Sequence, residues 1–213
     1  MKVGIIFDLD GTLLDTLADL ADATNHALEQ FGYPPRSMEY IRSVIGNGAL
    51  QLIRLSMPED ADRDAQEVLQ VFKNHYQTHC NVKTAPYPGI LDALAVLSQT
   101  YPIGIVTNKP HAAAAALCEA HFPGIFTLGE QAGTPRKPAP DMVRNTMTAL
   151  GVDTCIYVGD SEVDVLTAQN AGVPCLSVLW GLRSREQLID AGAVHLCKAA
   201  ADLPHAIQTL LRT

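Results

Sequence analysis

The stretch IIFDLDGTLLD, Ile5 to Asp15, sets an apolar run against three acids and then resumes with leucines. Residues two apart on an extended segment point to the same side, so Asp8 and Asp10 share a face on which their carboxylates repel each other. A strand ending in this way needs positive charge close by. D-G is also an ordinary turn signal, and acids at strand ends are often only solvated loop residues, so the stretch has to be read with the rest of the chain.

Outward from it, the chain changes character twice. Leu17, Leu20, Ala21, Thr24, Leu28 and Phe31 recur at helical spacing, behind Asp15 or Thr16 as a cap and ahead of Gly32 and a Pro34-Pro35 stop. Further helical patterns cover residues 38–44, 49–57 and 62–79, with no strand pattern between them. From Tyr87 onward, short β-branched runs alternate with helices: IGIVT (103–107), IFTL (125–128), CIYVG (155–159) and CLSVL (175–179). With Val3 to Phe7 as the first of the set, this βαβ rhythm predicts an α/β fold. The expected form is a Rossmann-like three-layer core with a mainly parallel sheet, plus an inserted all-helical cap. The expected boundaries are residues 1–14 and 85–213 for the core and 15–84 for the cap.

The bulk properties narrow the function. A chain of 213 residues with 47% apolar content can bury a sizeable core. Fifteen basic against 23 acidic residues give a formal charge of −8, which disfavours nucleic acid or an anionic membrane surface as the main partner. The apolar opening meets Asp8 too soon for a signal-peptide core or a membrane span. Five scattered cysteines, Cys80, Cys118, Cys155, Cys175 and Cys197, form no C-x-x-C pair and read as reduced thiols, which points to a cytoplasmic protein; a monomer or homodimer is expected, with no sequence signal that separates the two.

In open α/β sheets, ligands collect beyond the carboxyl ends of the strands. Asp8 and Asp10 end the first strand, Thr107-Asn108-Lys109 ends IGIV, and Gly159-Asp160-Ser161 ends CIYV. Competing motifs fail. A calcium loop needs glycine at its sixth position, where this chain has Leu13 or Val165, and GNGALQ (46–51) has Gln51 where a dinucleotide fingerprint needs glycine. No P-loop pattern is present. His75 and His79, one helical turn apart, read as a plain helix face, and Trp180 as a core residue.

These strand-end residues resemble the motifs of the haloacid dehalogenase-like superfamily of aspartate-nucleophile phosphatases. DLDGT (8–12) is similar to its first motif, Thr107 to the second, Lys137 in PRKPAPD to the third and GDSEVD (159–164) to the fourth. The resemblance implies that Asp8 attacks phosphorus, while Asp10 protonates the leaving oxygen and later deprotonates water. It implies Mg2+ held by Asp8, the backbone carbonyl of Asp10 and Asp160, with Asp164 in support. It also implies phosphoryl oxygens held by Thr107, the Asn108 amide and Lys137. Charge counting makes the metal necessary, because Asp8 and Asp160 against Lys137 leave a net negative site facing a phosphate dianion, and a dication reverses that sign.

Selectivity is expected from the cap. VIGNGALQLIRL (44–55) sets Asn47 before a helix whose free amides suit an anionic group, with Arg54 about two turns on. This stretch and VTNKP (106–110) resemble those of phosphoglycolate phosphatases, which implies a small carboxylate-bearing phosphate ester as substrate. A plain helix-start turn with a surface arginine is the competing reading. Rivals for the whole are a sugar-phosphate phosphomutase and a catalytically silent phosphate-binding module.

Overall fold

The computed structural model describes residues 1–212, the side chains of Asp60 and Asp62 excepted. Strand β1 (Val3–Phe7) is followed by a two-residue β2 (Leu14–Asp15), α1 (Leu17–Gln30), α2 (Met38–Val44), α3 (Ala49–Ser56), a 3-10 turn over Glu59–Asp64, α4 (Ala65–His79) and β3 (Ala85–Pro86). Then come α5 (Ile90–Leu97), β4 (Ile103–Pro110), α6 (His111–His121), β5 (Phe126–Glu130) and α7 (Asp141–Leu150). The chain ends with β6 (Thr154–Gly159), α8 (Glu162–Ala171), β7 (Cys175–Val178), α9 (Arg185–Asp190), β8 (His195–Cys197) and α10 (Leu203–Leu210).

Six strands form one parallel sheet in the order β5-β4-β1-β6-β7-β8. Alternation along β1 shows why three layers result. Ile5 and Phe7 join one apolar cluster with Leu94 of α5, Leu117 of α6 and Ile207 of α10, whereas Ile6 joins a second with Met142 and Val143 of α7 and Ala168 of α8. A strand buried on both faces reads as a continuous apolar run, and each fully buried Ile or Phe side chain contributes roughly 1.5–3 kcal/mol.

Between β2 and β3 the chain builds helices α1 to α4, which share the larger apolar cluster through Leu28, Ile41, Ile53, Val68 and Phe72. Its outgoing and returning segments lie side by side, because β2 and β3 pair antiparallel with Leu14 opposite Pro86 and Asp15 opposite Ala85.

Local details depart from the sequence pattern. Helix α4 begins at Ala65, not residue 62, because residues 59–64 coil as a 3-10 turn. Thr16 occupies the N-cap position of α1 without capping it, since its hydroxyl donates to Asp10 Oδ1 at 2.7 Å. Strand β4 runs on to Pro110, and the short β8 was not anticipated. His75 and His79 stack with ring centroids 4.0 Å apart, and His26 stacks on His75 at 3.9 Å. Trp180 packs at the core edge and donates from Nε1 to Thr12 O at 3.0 Å. All five cysteines are free. No helix among the described residues is long and apolar enough to cross a membrane.

Asp19 on α1, which the sequence pattern did not single out, fixes the returning segment. The residue is 3% exposed, and its carboxylate accepts from Val82 N at 3.0 Å, Lys83 N at 3.0 Å, Thr84 N at 2.9 Å and Thr84 Oγ1 at 2.8 Å. Burial works to raise its pKa, but these hydrogen bonds to the charged form outweigh burial and hold it below the ordinary value of 3.8. A depressed folded pKa gives stability that is present above the unfolded pKa and is lost as pH falls through the folded one. Asp19→Asn is therefore expected to lower unfolding free energy by about 2 kcal/mol at neutral pH, with the gap to wild type closing in acid below the carboxylate range. Urea melts across pH check this, and a gap unchanged in acid refutes the carboxylate's role.

Candidate active site

Strand order turns at β1, which has β4 on one side and β6 on the other. The loops leaving these strands diverge and open a crevice at their carboxyl ends. Asp8, Asp10, Thr107, Asn108, Lys137 and Asp160 all line a cavity there of about 50 Å3, room for a few waters. The insert closes it with Leu20, Ile45, Ala49, Leu52, Phe72 and Tyr76.

Backbone geometry delivers the acids. Gly11 has φ +88°, and a Cβ there would lie 2.4 Å from Asp160 Oδ2, so the turn after Asp10 requires glycine. Gly159 is equally confined, because a Cβ would lie 2.3 Å from Asp164 Cγ. Asp160 accepts from Thr12 Oγ1 at 3.0 Å and from Leu182 N at 2.7 Å. Asp164 forms a capping box with Ser161 at the start of α8, and its Oδ2 accepts from Asp160 N at 3.2 Å, Ser161 N at 3.1 Å and Ser161 Oγ at 2.6 Å.

Lys137 supplies the positive charge that the first strand end requires. Its buried ammonium lies 2.8 Å from Asp8 Oδ1 and 2.8 Å from Asp164 Oδ1 and donates to Tyr157 OH at 3.0 Å. Burial opposes that charge, but Asp164 and then Asp8 outweigh it and hold the ammonium well above its ordinary pKa.

Asp8, Asp160 and Asp164 each offer a carboxylate oxygen within 4.8 Å of the others. Asp8 Oδ1 is buried and, beyond its ion pair with Lys137, has no hydrogen-bond partner among the described residues. Burial first, and then Asp164, raise the Asp8 pKa well above the ordinary carboxyl value. The same causes in the same order lift Asp160 to about 7. Crowded carboxylates with a spare buried acceptor suit a hard divalent cation bound through oxygen. Asp164 already takes donors from Lys137, Tyr157, Asp160 N and Ser161 over its two oxygens, whereas each Asp160 oxygen takes one and Asp8 Oδ1 meets only Lys137, so Asp8 and Asp160 are the better direct ligands and Asp164 the better support.

Asp10 finds its cation in Lys109, to which the sequence pattern assigns no role. Lys109 Nζ donates to Asp10 Oδ1 at 2.7 Å and sits 4.8 Å from the ring centroid of Tyr76 on α4. Burial lowers its pKa, but Asp10 more than compensates, so the ammonium stays charged. The two acids thus share no single cation; each has its own lysine. The signal available in the sequence was parity, because Lys109 lies two residues after Thr107.

Thr107 Oγ1 accepts from Lys109 N at 3.1 Å, which leaves its own O–H to donate. The Asn108 side chain accepts from Lys137 N at 2.8 Å and donates to Lys137 O at 3.0 Å and to Gly46 O of the insert at 3.0 Å. Of the residues expected to select substrate, Asn47 and Arg54 do not line the cavity, whereas their neighbours Gly46, Gly48 and Leu52 do. Arg54 is exposed on α3.

The chain is similar to several known proteins along most of its length. A family model described as haloacid dehalogenase-like hydrolase matches residues 5–178. The phosphoglycolate phosphatase of Rhodobacter capsulatus is 36% identical over 191 residues, covering 86% of this chain and 87% of its own. That of Mesorhizobium japonicum is 35% identical over 193 residues, covering 85% and 84%. A solved structure from Lactobacillus delbrueckii subsp. bulgaricus, described as a candidate phosphoglycolate phosphatase, has a TM-score of 0.89 at 39% identity and covers 96% of this chain and 97% of its own.

Asp8→Asn is expected to abolish turnover by at least ~10³-fold, since an amide is no nucleophile. The melting temperature is expected to stay within about 4 °C of wild type or rise, because the change relieves crowding among three acids. Product assays and thermal melts read the two effects separately, and wild-type turnover in the variant removes Asp8 from the nucleophile's role.

Proposed function

Since the chain belongs to the haloacid dehalogenase-like hydrolases and is a phosphomonoester hydrolase, we propose that it is a Mg2+-dependent phosphatase acting on 2-phosphoglycolate. The observation that carries this reading is the gathering of Asp8, Asp10, Thr107 and Lys137 around one small cavity. In it, the Asp8 carboxylate attacks phosphorus in line and becomes an aspartyl-phosphate as the ester oxygen leaves with a proton from Asp10. Asp10 then takes a proton from the water that hydrolyses the acyl phosphate, releasing orthophosphate and regenerating Asp8. Thr107, the Asn108 amide and Lys137 hold the phosphoryl oxygens as charge shifts between them. Asp8, the Asp10 carbonyl and Asp160 would hold Mg2+, with Asp164 orienting them, and the ion would supply positive charge that lets two anions meet.

The substrate reading rests on the relatives' names, phosphoglycolate phosphatase in each case. Residues 15–84 act as a cap that excludes bulk water, with the β2–β3 ribbon as its attachment. Five free thiols, four of them buried, support a reducing cytoplasmic setting.

Chelator-treated protein is expected to be inactive and to regain stoichiometric release of orthophosphate from 2-phosphoglycolate on addition of Mg2+. Glucose 1-phosphate and nucleoside monophosphates are expected to react at least ~100-fold more slowly in kcat/KM. Isomerised ester without orthophosphate would reject hydrolysis, and equal rates across the panel would reject the substrate.

A further inference from the structure

We propose that Lys109 and Tyr76 form the leaving-group subsite and read the carboxylate of a small phospho-acid, in place of the Asn47 and Arg54 pair expected from the sequence. The inference deepens the proposed phosphatase function and rests on it.

Four observations carry it. First, the cations lining the cavity are Lys137 and Lys109, and Lys137 is committed to Asp8 and Asp164. The insert's arginines near the core are otherwise engaged, Arg36 on Ser56 O and Met57 O and Arg42 on Gly181 O and Leu182 O. Second, Lys109 is 4% exposed, and Asp10 takes only one of its three N–H donors. Third, the Tyr76 hydroxyl belongs to a side chain 2% exposed that lines the same cavity, and among the described residues it makes no hydrogen bond of good geometry, the Lys109 ammonium being the charge that faces it. A buried hydroxyl without a partner is costly unless a ligand satisfies it. Fourth, the remaining wall from the insert is apolar, with Leu20, Ile45, Leu52 and Phe72.

The spacing suits the chemistry. In 2-phosphoglycolate one methylene separates the ester oxygen from the carboxylate. If Asp10 delivers its proton to the ester oxygen, a cation one hydrogen bond from Asp10 stands beside the carboxylate, and the methylene rests on the apolar wall. The Tyr76 O–H supplies a second donor from the insert, so the carboxylate binds only when the insert is closed. A hydrogen bond from a neutral or charged donor to a carboxylate in a dry cavity is among the stronger kinds.

The test compares 2-phosphoglycolate with ethyl phosphate, which lacks only the carboxylate oxygens. Wild type is expected to favour the acid by ~100-fold or more in kcat/KM. Tyr76→Phe is expected to cut that preference ratio by ~10-fold, mainly through KM, and Lys109→Met by more. Free glycolate is expected to inhibit wild type competitively and Tyr76→Phe more weakly. Thermal melts confirm folding, and Tyr76→Phe, which removes one oxygen, keeps the test available should Lys109→Met unfold. If wild type hydrolyses neither ester, the phosphatase reading itself fails. If it hydrolyses both alike, the phospho-acid class fails. If it prefers the acid and both variants keep the full preference, the subsite assignment alone is overturned.

Discussion

A buried ammonium fixed between carboxylates is the constraint on which the site depends. Lys137 Nζ has 2.8 Å contacts with Asp8 and with Asp164. Burying such charges costs several kcal/mol per ion unless partners are held in place. The partners here come from three elements: the end of β1, the first turn of α8 and, through Tyr157, the middle of β6. Their meeting requires the β1–β6 register, with Ile6 opposite Tyr157 and Phe7 opposite Val158. A slip of one residue would turn Tyr157 to the other face of the sheet and leave the lysine with fewer contacts. Sheet register and active-site charge are therefore one requirement, which explains why the first strand can carry two acids at its end without fraying.

The same cavity ties the insert to the core. Arg183, in the loop after β7, donates to Ile45 O at 2.7 Å and Arg42 O at 3.0 Å, while Arg42 donates back to Leu182 O at 3.1 Å. Leu182 N in turn donates to Asp160 at 2.7 Å. One short loop thus touches both the insert and a carboxylate suited to the metal. Asn108 repeats the pattern on the opposite side by bonding Gly46 O and the Lys137 backbone with one amide. Polar contacts thus tie the insert to the core while its apolar side chains line the cavity.

How much of this the sequence disclosed follows from the range of each signal. The parallel sheet was legible because βαβ rhythm is local, and Asp8, Thr107 and Asp160 were legible because they end β-branched runs. Lys137 sits in a loop, and only its resemblance to a motif marked it. Lys109 went unassigned because its partners, Asp10 and Tyr76, lie 99 residues away and in the insert respectively, and a buried lysine looks like an exposed one in sequence. Arg54 drew attention as a cation on a helix beside a glycine turn, but helical rotation carries it to the exposed face while Leu52 turns inward. Asp19 carries no mark in the sequence pattern, because its role depends on a segment more than sixty residues later. β8 spans only three residues, too few for alternation to register.

The ribbon of β2 and β3 has a consequence for the insert. Because departure from the sheet and return to it are fixed opposite each other, Leu14 against Pro86 and Asp15 against Ala85, the tether geometry is independent of what hangs from it. Helices between the two ends can be lengthened or trimmed while those ends stay side by side. The insert's wall over the cavity is thereby set by residues other than those that anchor its two ends.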